Sequence, residues 1–185
     1  MGLFGPPNID KMKAKGDVKG LIKALEYKKG TDPIILRSAA ANALGELRDI
    51  RAIDPLITAL RDENEYFRRD VVGALGLLSD SRVVNPLIAA LNDNDSEVRN
   101  IAAKSLGQIG AIEATPYLSK MLMDKVDIRA TVVETLDKLN WKPTNDVWGV
   151  EYWIVKGHPE MILKMGDWIV SPLINILNAI SEQIA

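Results

Sequence analysis

The sequence predicts an all-α fold: an α-α superhelix of about four regular helix pairs followed by a degenerate C-terminal cap. Three observations carry this expectation. Asp49 to Ser79 lies over Asp80 to Gly110 without a gap, and 11 of the 31 aligned positions are identical. Apolar residues recur at helical spacing inside each copy, as at Val71, Val72, Leu75 and Leu78. No stretch shows sustained two-residue alternation, so no strand is expected. A pair of short antiparallel helices cannot bury its apolar faces alone, and a fixed period therefore means stacked units that bury a continuous core.

The units divide one domain, 1–185, at approximately 17–48, 49–79, 80–110 and 111–140, with a cap over 141–185. Arg37, Arg68, Arg99 and Arg129 mark the phase at spacings of 31, 31 and 30 residues. In each complete unit a first helix opens with proline (Pro55, Pro86) in its first turn, where a missing N–H costs nothing. Leu56, Ile57 and Leu60 form its apolar stripe. A polar turn such as Asp62-Glu63-Asn64 then supplies capping residues for the second helix. Gly45, Gly76 and Gly107 near the end of the second helices fit either close packing or a helix stop. The first unit begins near Asp17 and carries a four-residue insertion, since Gly20 to Arg37 is 17 residues and Pro55 to Arg68 is 13.

The tail departs from the repeat and returns to it. Asp146 to Lys156 reads as a helix, Val147 to Met165 as a degenerate fifth unit, and Val170 to Ile184 as a lone terminal helix. Trp141, Trp148, Trp153, Trp168 and Tyr152 all fall in this tail, where aromatics fill a capping core. The terminal helix shows an apolar stripe (Val170, Leu173, Ile174, Leu177, Ile180), so the chain is expected to be a monomer or a weak homodimer through it.

Composition excludes whole classes of chemistry. The chain has 185 residues, a net charge of −2, no Cys and one His. Thiolate chemistry, iron–sulfur clusters and multi-histidine metal centres are therefore out of reach. His158, followed by Pro159 and Glu160, reads as a loop residue. The near balance of charge speaks against a dedicated nucleic-acid binder. Seven lysines between Lys11 and Lys29 face three acidic residues, which reads as a solvated helix face without interleaved aromatics. No signal peptide or spanning stretch is present, so a cytoplasmic, membrane-free protein is expected. No cofactor is expected.

The pattern Pro-Leu-Ile-x-Ala-Leu-x-Asp, then Arg, then Ala-Leu-Gly resembles HEAT repeats of the short type named after phycobilisome lyases. The resemblance spans Asp17 to about Leu139 in four copies that agree in phase. It implies a structural ladder of Asp and Arg between units. Asp62 and Arg68, and Asp93 and Arg99, keep the six-residue spacing; Asp124 and Arg129 are one short. It also implies that the second helices line a concave groove. Positions one, five and nine after each Arg share one helix face. The partner-binding candidates among them are Asn42, Glu46, Arg69, Gly73, Leu77, Asn100, Lys104, Gln108, Glu134 and Lys138. Their charges, Arg69, Lys104 and Lys138 against Glu46 and Glu134, sum to +1, too mixed for a phosphate track and suited to a protein partner.

The sequence thus points to a non-catalytic interaction module that binds another protein of unspecified identity through this groove. A bilin lyase or isomerase subunit is the enzymatic alternative, since similar repeats form such enzymes. A second alternative is a nucleic-acid binder like the HEAT-like alkylpurine DNA glycosylases, which would want a basic groove. The di-iron activity of deoxyhypusine hydroxylase is excluded, because its repeated His-Glu pairs have no counterpart here.

Overall fold

A computed structural model of the chain describes residues 6–30, 32–123 and 126–164, and every described regular element is helical. The contacts divide it into two compact units, one ending at Ile109 and one starting at Gly110.

The first unit holds three stacked helix pairs and one helix before them. α1 (Ile9–Ala14) is an addition to what the repeat phase predicts: the Asn8 side chain caps it by accepting from the Lys11 N–H, and Ile9 is buried. α2 (Val18–Ala24) begins at Asp17, whose carboxylate accepts from the Gly20 N–H. Its partner α3 (Pro33–Leu47) follows after a long connection, which absorbs the insertion of the first unit. The second pair is α4 (Ile53–Ala59) with α5 (Glu65–Leu78), and the third is α6 (Val84–Ala90) with α7 (Ser96–Ile109).

Val71, Val72, Leu75 and Leu78 of α5 are all buried, as the helical spacing requires. In α4 the buried face is Ile53 and Leu56, whereas Ile57 and Leu60 are only half-buried. The helix starts two residues before Pro55, because the 3-10 turn Ile50–Ala52 runs directly into it. Asp49 fixes that turn: its carboxylate accepts from the Arg51 N–H at 2.9 Å and pairs with the Arg51 guanidinium. Asp80 and Arg82 repeat the same clasp before α6.

Gly45 and Gly76, near the ends of their second helices, serve packing, not termination. A Cβ on Gly45 would stand 2.7 Å from the Ala74 Cα, and one on Gly76 would stand 2.7 Å from the Ser105 Cβ. Consecutive second helices therefore meet along a seam of small residues, Gly45 against the Ala74 backbone and Gly76 against the Ser105 side chain. The helices stop three residues later, at left-handed Arg48 (φ 52) and Ser79 (φ 49). Gly110 (φ 77) and Asn140 (φ 55) hold the matching positions, so a single one of the four is the residue that adopts this conformation freely.

The second unit contains α8 (Thr115–Lys120), the 3-10 turn Met121–Met123, α9 (Val126–Lys138), α10 (Val147–Val155) and α11 (Pro159–Leu163). Asp146 caps α10 through the Trp148 and Gly149 N–H groups, both at 3.1 Å. Trp141 meets Tyr152 edge-on at 5.4 Å and Tyr152 meets Trp153 at 5.0 Å, so these aromatics join the connection after α9 to α10. Asp124, Trp168 and the helix expected over Val170 to Ile184, with its dimer contact, lie outside the described residues.

Candidate functional site

Arg68 stands at the start of α5, and its side chain reaches forward into the next repeat. It donates to both carboxylate oxygens of Asp93, Nε to Oδ2 at 2.8 Å and Nη2 to Oδ1 at 2.8 Å. Its Nη1 donates backward to the carbonyls of Asp62 and Glu63, at 2.8 and 3.1 Å. Arg37 makes the equivalent pair with Asp62 one repeat earlier, and also donates to the Leu25 carbonyl at 2.8 Å. Each rung thus joins an Arg to the Asp 25 residues ahead, while for Arg68 the Asp six residues behind, Asp62, offers only its backbone oxygen. Arg99 keeps that backbone bond to the Asp93 carbonyl at 2.8 Å. Arg129, in the second unit, lies 3.5 Å from Glu151.

The rungs are half-buried, with about 15% exposure at Arg68 and Asp93. Burial is the largest influence on the Asp93 carboxyl and raises it, but the hydrogen bonds and charge of Arg68 together with the Asp95 N–H outweigh it, and the net shift is downward. Asp62 behaves alike under Arg37. The Arg37 guanidinium also stacks over the buried Phe67 ring at 4.0 Å.

Arg69 is where the structure departs most from the groove that the columns describe. Its guanidinium clasps Asp95, Nε to Oδ1 at 2.8 Å and Nη2 to Oδ2 at 2.7 Å, and lies 4.8 Å from the Tyr66 ring centroid. Asp95 also caps α7 by accepting from the Val98 N–H, and its pKa falls to about 2, chiefly through Arg69. Arg69 is therefore a second inter-repeat rung, not a free cation. The signal for it in the sequence is the pair of aspartates, Asp93 and Asp95, matched to consecutive arginines.

Asn100 also differs from expectation. It is buried instead of solvent-facing, and its side-chain oxygen lacks a hydrogen-bond partner. At Arg69, position one of the column lies at the seam between second helices, as its reach across to Asp95 shows, and the side chain of Asn100, one repeat later, is covered.

Positions five and nine remain open in the first unit. Asn42, Glu46, Lys104 and Gln108 are exposed, and Leu77 is 37% exposed. Gly73 is partly covered, and a Cβ there would meet only the Ile101 Cγ2, at 3.9 Å, so a shallow notch lies beside Leu77. Asn42 donates to Asp70 at 3.2 Å and Glu46 pairs with Lys13 of α1. Glu134 and Lys138 are exposed on α9 of the second unit.

The second unit holds a polar cluster that the spacing arguments do not reveal. Tyr152 donates to Asp137, and Lys156 reaches the same carboxylate at 2.6 Å. Glu151 is buried, and burial pushes its carboxyl up against the pull of Arg129. His158 is exposed, with Nδ1 3.0 Å from Glu160. Among the described residues no three His, Asp or Glu side chains converge as a metal would need, and no helix is long and apolar enough to cross a membrane.

Stacked helix pairs tied by Arg–Asp rungs define a tandem-repeat protein of the α-α superhelix class. The chain carries HEAT repeats: residues 53–137 match HEAT repeats and residues 36–62 match the PBS lyase HEAT-like repeat. A solved structure of the complex of CpcE and CpcF of phycocyanin lyase from Nostoc sp. PCC7120 is similar, with a TM-score of 0.59 and 25% identity. That likeness covers 83% of this chain and 60% of the other, so this chain spans less than two thirds of it. A crystal structure of an engineered protein shares the fold at a TM-score of 0.54 and 19% identity, over 94% of this chain and 83% of that one. No curated protein matches the chain in sequence.

Proposed function

We propose that the chain is a non-catalytic protein-binding module that acts in the cytoplasm and seats its partner in the concave groove lined by the exposed face of the second helices. The observation that carries this reading is Leu77, a large apolar side chain left 37% exposed beside the Gly73 notch. Apolar anchors with a polar rim are how protein interfaces concentrate their binding energy. Here Lys104, Gln108, Asn42 and Glu46 supply the rim, with Glu134 and Lys138 as a separate exposed pair on α9. Arg69 borders the anchor but keeps its charge for Asp95, so a partner meets its stacked edge more than a free cation.

The test compares proteins captured by the wild-type chain with those captured by Leu77→Asp combined with Lys104→Glu. Both positions are exposed, so helicity should be unchanged while the specific partner is lost. Retention of the same partners at unchanged yield would overturn this site.

A second reading, a bilin lyase subunit, is supported by the PBS lyase HEAT-like repeat and by the likeness to CpcE and CpcF. Because the CpcE and CpcF structure is a complex, a protein partner is common to both readings. Incubation with phycocyanobilin and the phycocyanin apoprotein, with and without a candidate second subunit, distinguishes them. Covalently coloured apoprotein would favour the lyase reading.

A further inference from the structure

The first helices carry a feature that the second-helix face does not use. A groove between α2 and α4 is lined by Ile22 and Leu25 on one side and Pro55 and Ala59 on the other. A groove between α4 and α6 is lined by Ile57 and Leu60 against Pro86 and Ala90. Pro55 and Pro86, like Ala59 and Ala90, are 31 residues apart, so the second groove repeats the first in repeat register. Arg61 lines both grooves and is exposed. Among the described residues its side chain has no hydrogen-bond or ion-pair partner. Asp62 and Asp93 also line the grooves, but Arg37 and Arg68 already neutralise them. Of the charges lining the second groove, Arg61 is the one left uncompensated.

We propose that these two grooves hold a proline-rich peptide in the polyproline II conformation, with one apolar side chain in each groove and a carboxylate between them on Arg61. The spacing selects the conformation. Packed helices lie about 8–10 Å apart, which sets the distance from one groove to the next. Polyproline II has three residues per turn and a rise of about 3.1 Å, so residues i and i+3 point the same way about 9 Å apart. A β-strand puts i and i+3 on opposite faces, and its same-face i, i+2 neighbours are only about 7 Å apart. A helical peptide reaches both grooves only with i and i+7, about 10.5 Å apart, and its i+3 and i+4 side chains on the same face then press onto the α4 ridge between the grooves. The residues between the two anchors lean sideways, where a long, flexible Arg reaches a carboxylate for a charge-assisted bond. A preformed polyproline II chain also loses little entropy on docking. This surface is independent of the Leu77 face, and either can fail without the other.

The probe is the fluorescein-labelled octapeptide Pro-Pro-Leu-Pro-Glu-Leu-Pro-Pro, titrated with the full chain. Saturable binding with a Kd below about 1 mM is expected. Arg61→Glu should weaken it about tenfold, and replacing the peptide Glu by Lys should recover most of that loss on the variant, the signature of a charge pair. Ala89→Trp, at an exposed position lining the second groove, should also weaken binding while leaving far-UV circular dichroism unchanged. Amide shifts should cluster at Ala59 and Ala90. No saturation by about 1 mM, indifference to Arg61→Glu, or shifts centred on Leu77 and Lys104 would each overturn the proposal.

Discussion

Arg68 and Asp93 form a two-pronged pair across the seam between repeats, with both bonds at 2.8 Å and both side chains about 15% exposed. The next residue, Arg69, does the same with Asp95. Two consecutive arginines on α5 thus grip two aspartates on the following turn, and those aspartates also close that turn by accepting from the Asp95 and Val98 N–H groups. One set of bonds fixes both the loop within a unit and the register between units.

Arg68→Ala leaves the Asp93 carboxylate without its partner and frees two backbone carbonyls. The expected loss is about 3 kcal/mol in a denaturant melt, the low end for breaking a buried pair. Arg68→Lys should recover only part of it, because an ammonium cannot span both oxygens. A loss below about 0.5 kcal/mol for the alanine variant would assign the pair to the screened surface class.

Acid should attack the rungs in a defined window. Asp95 is held at about 2, below its ordinary 3.8, so its contribution is present above the ordinary value and is lost as pH falls towards 2. Asp62 and Asp93 are shifted in the same direction. Arg69→Gln should flatten the fall of stability between about pH 4 and pH 2 by of order 1 kcal/mol, after allowance for solvent screening. Parallel acid limbs for the variant and wild type would contradict this.

Glu151 has the opposite sign. Burial raises its carboxyl, so the folded chain takes up its proton more readily than the unfolded chain, and this residue contributes stability as pH falls from neutrality towards 4.5. Glu151→Gln should abolish that gain, read as a flatter dependence of the melting temperature on pH over this range.

The two kinds of glycine position predict opposite outcomes. Gly45→Ala drives a methyl into the Ala74 backbone and should cost about 1–3 kcal/mol by overpacking. Ser79→Gly relieves a left-handed serine and should stabilise by about 0.5–1 kcal/mol. Thermal melts of the pair check both signs at once.

The sequence alone determined the repeat, its phase, the helix pairs and the buried face of α5, because period and helical spacing are local and each copy restates the others. It also marked the Arg and Asp of the rungs, but not which Asp each Arg holds, since six residues behind and 25 ahead are equally legible along the chain. Only the stacking of α5 against its neighbours decided that Arg68 reaches Asp93, that Arg69 spends its charge on Asp95, and that Asn100 is covered. The same stacking decided between the two roles open to Gly45 and Gly76 in favour of contact. Each of these depends on how close two backbones come, a distance set by side chains a full repeat apart and therefore invisible to any local pattern.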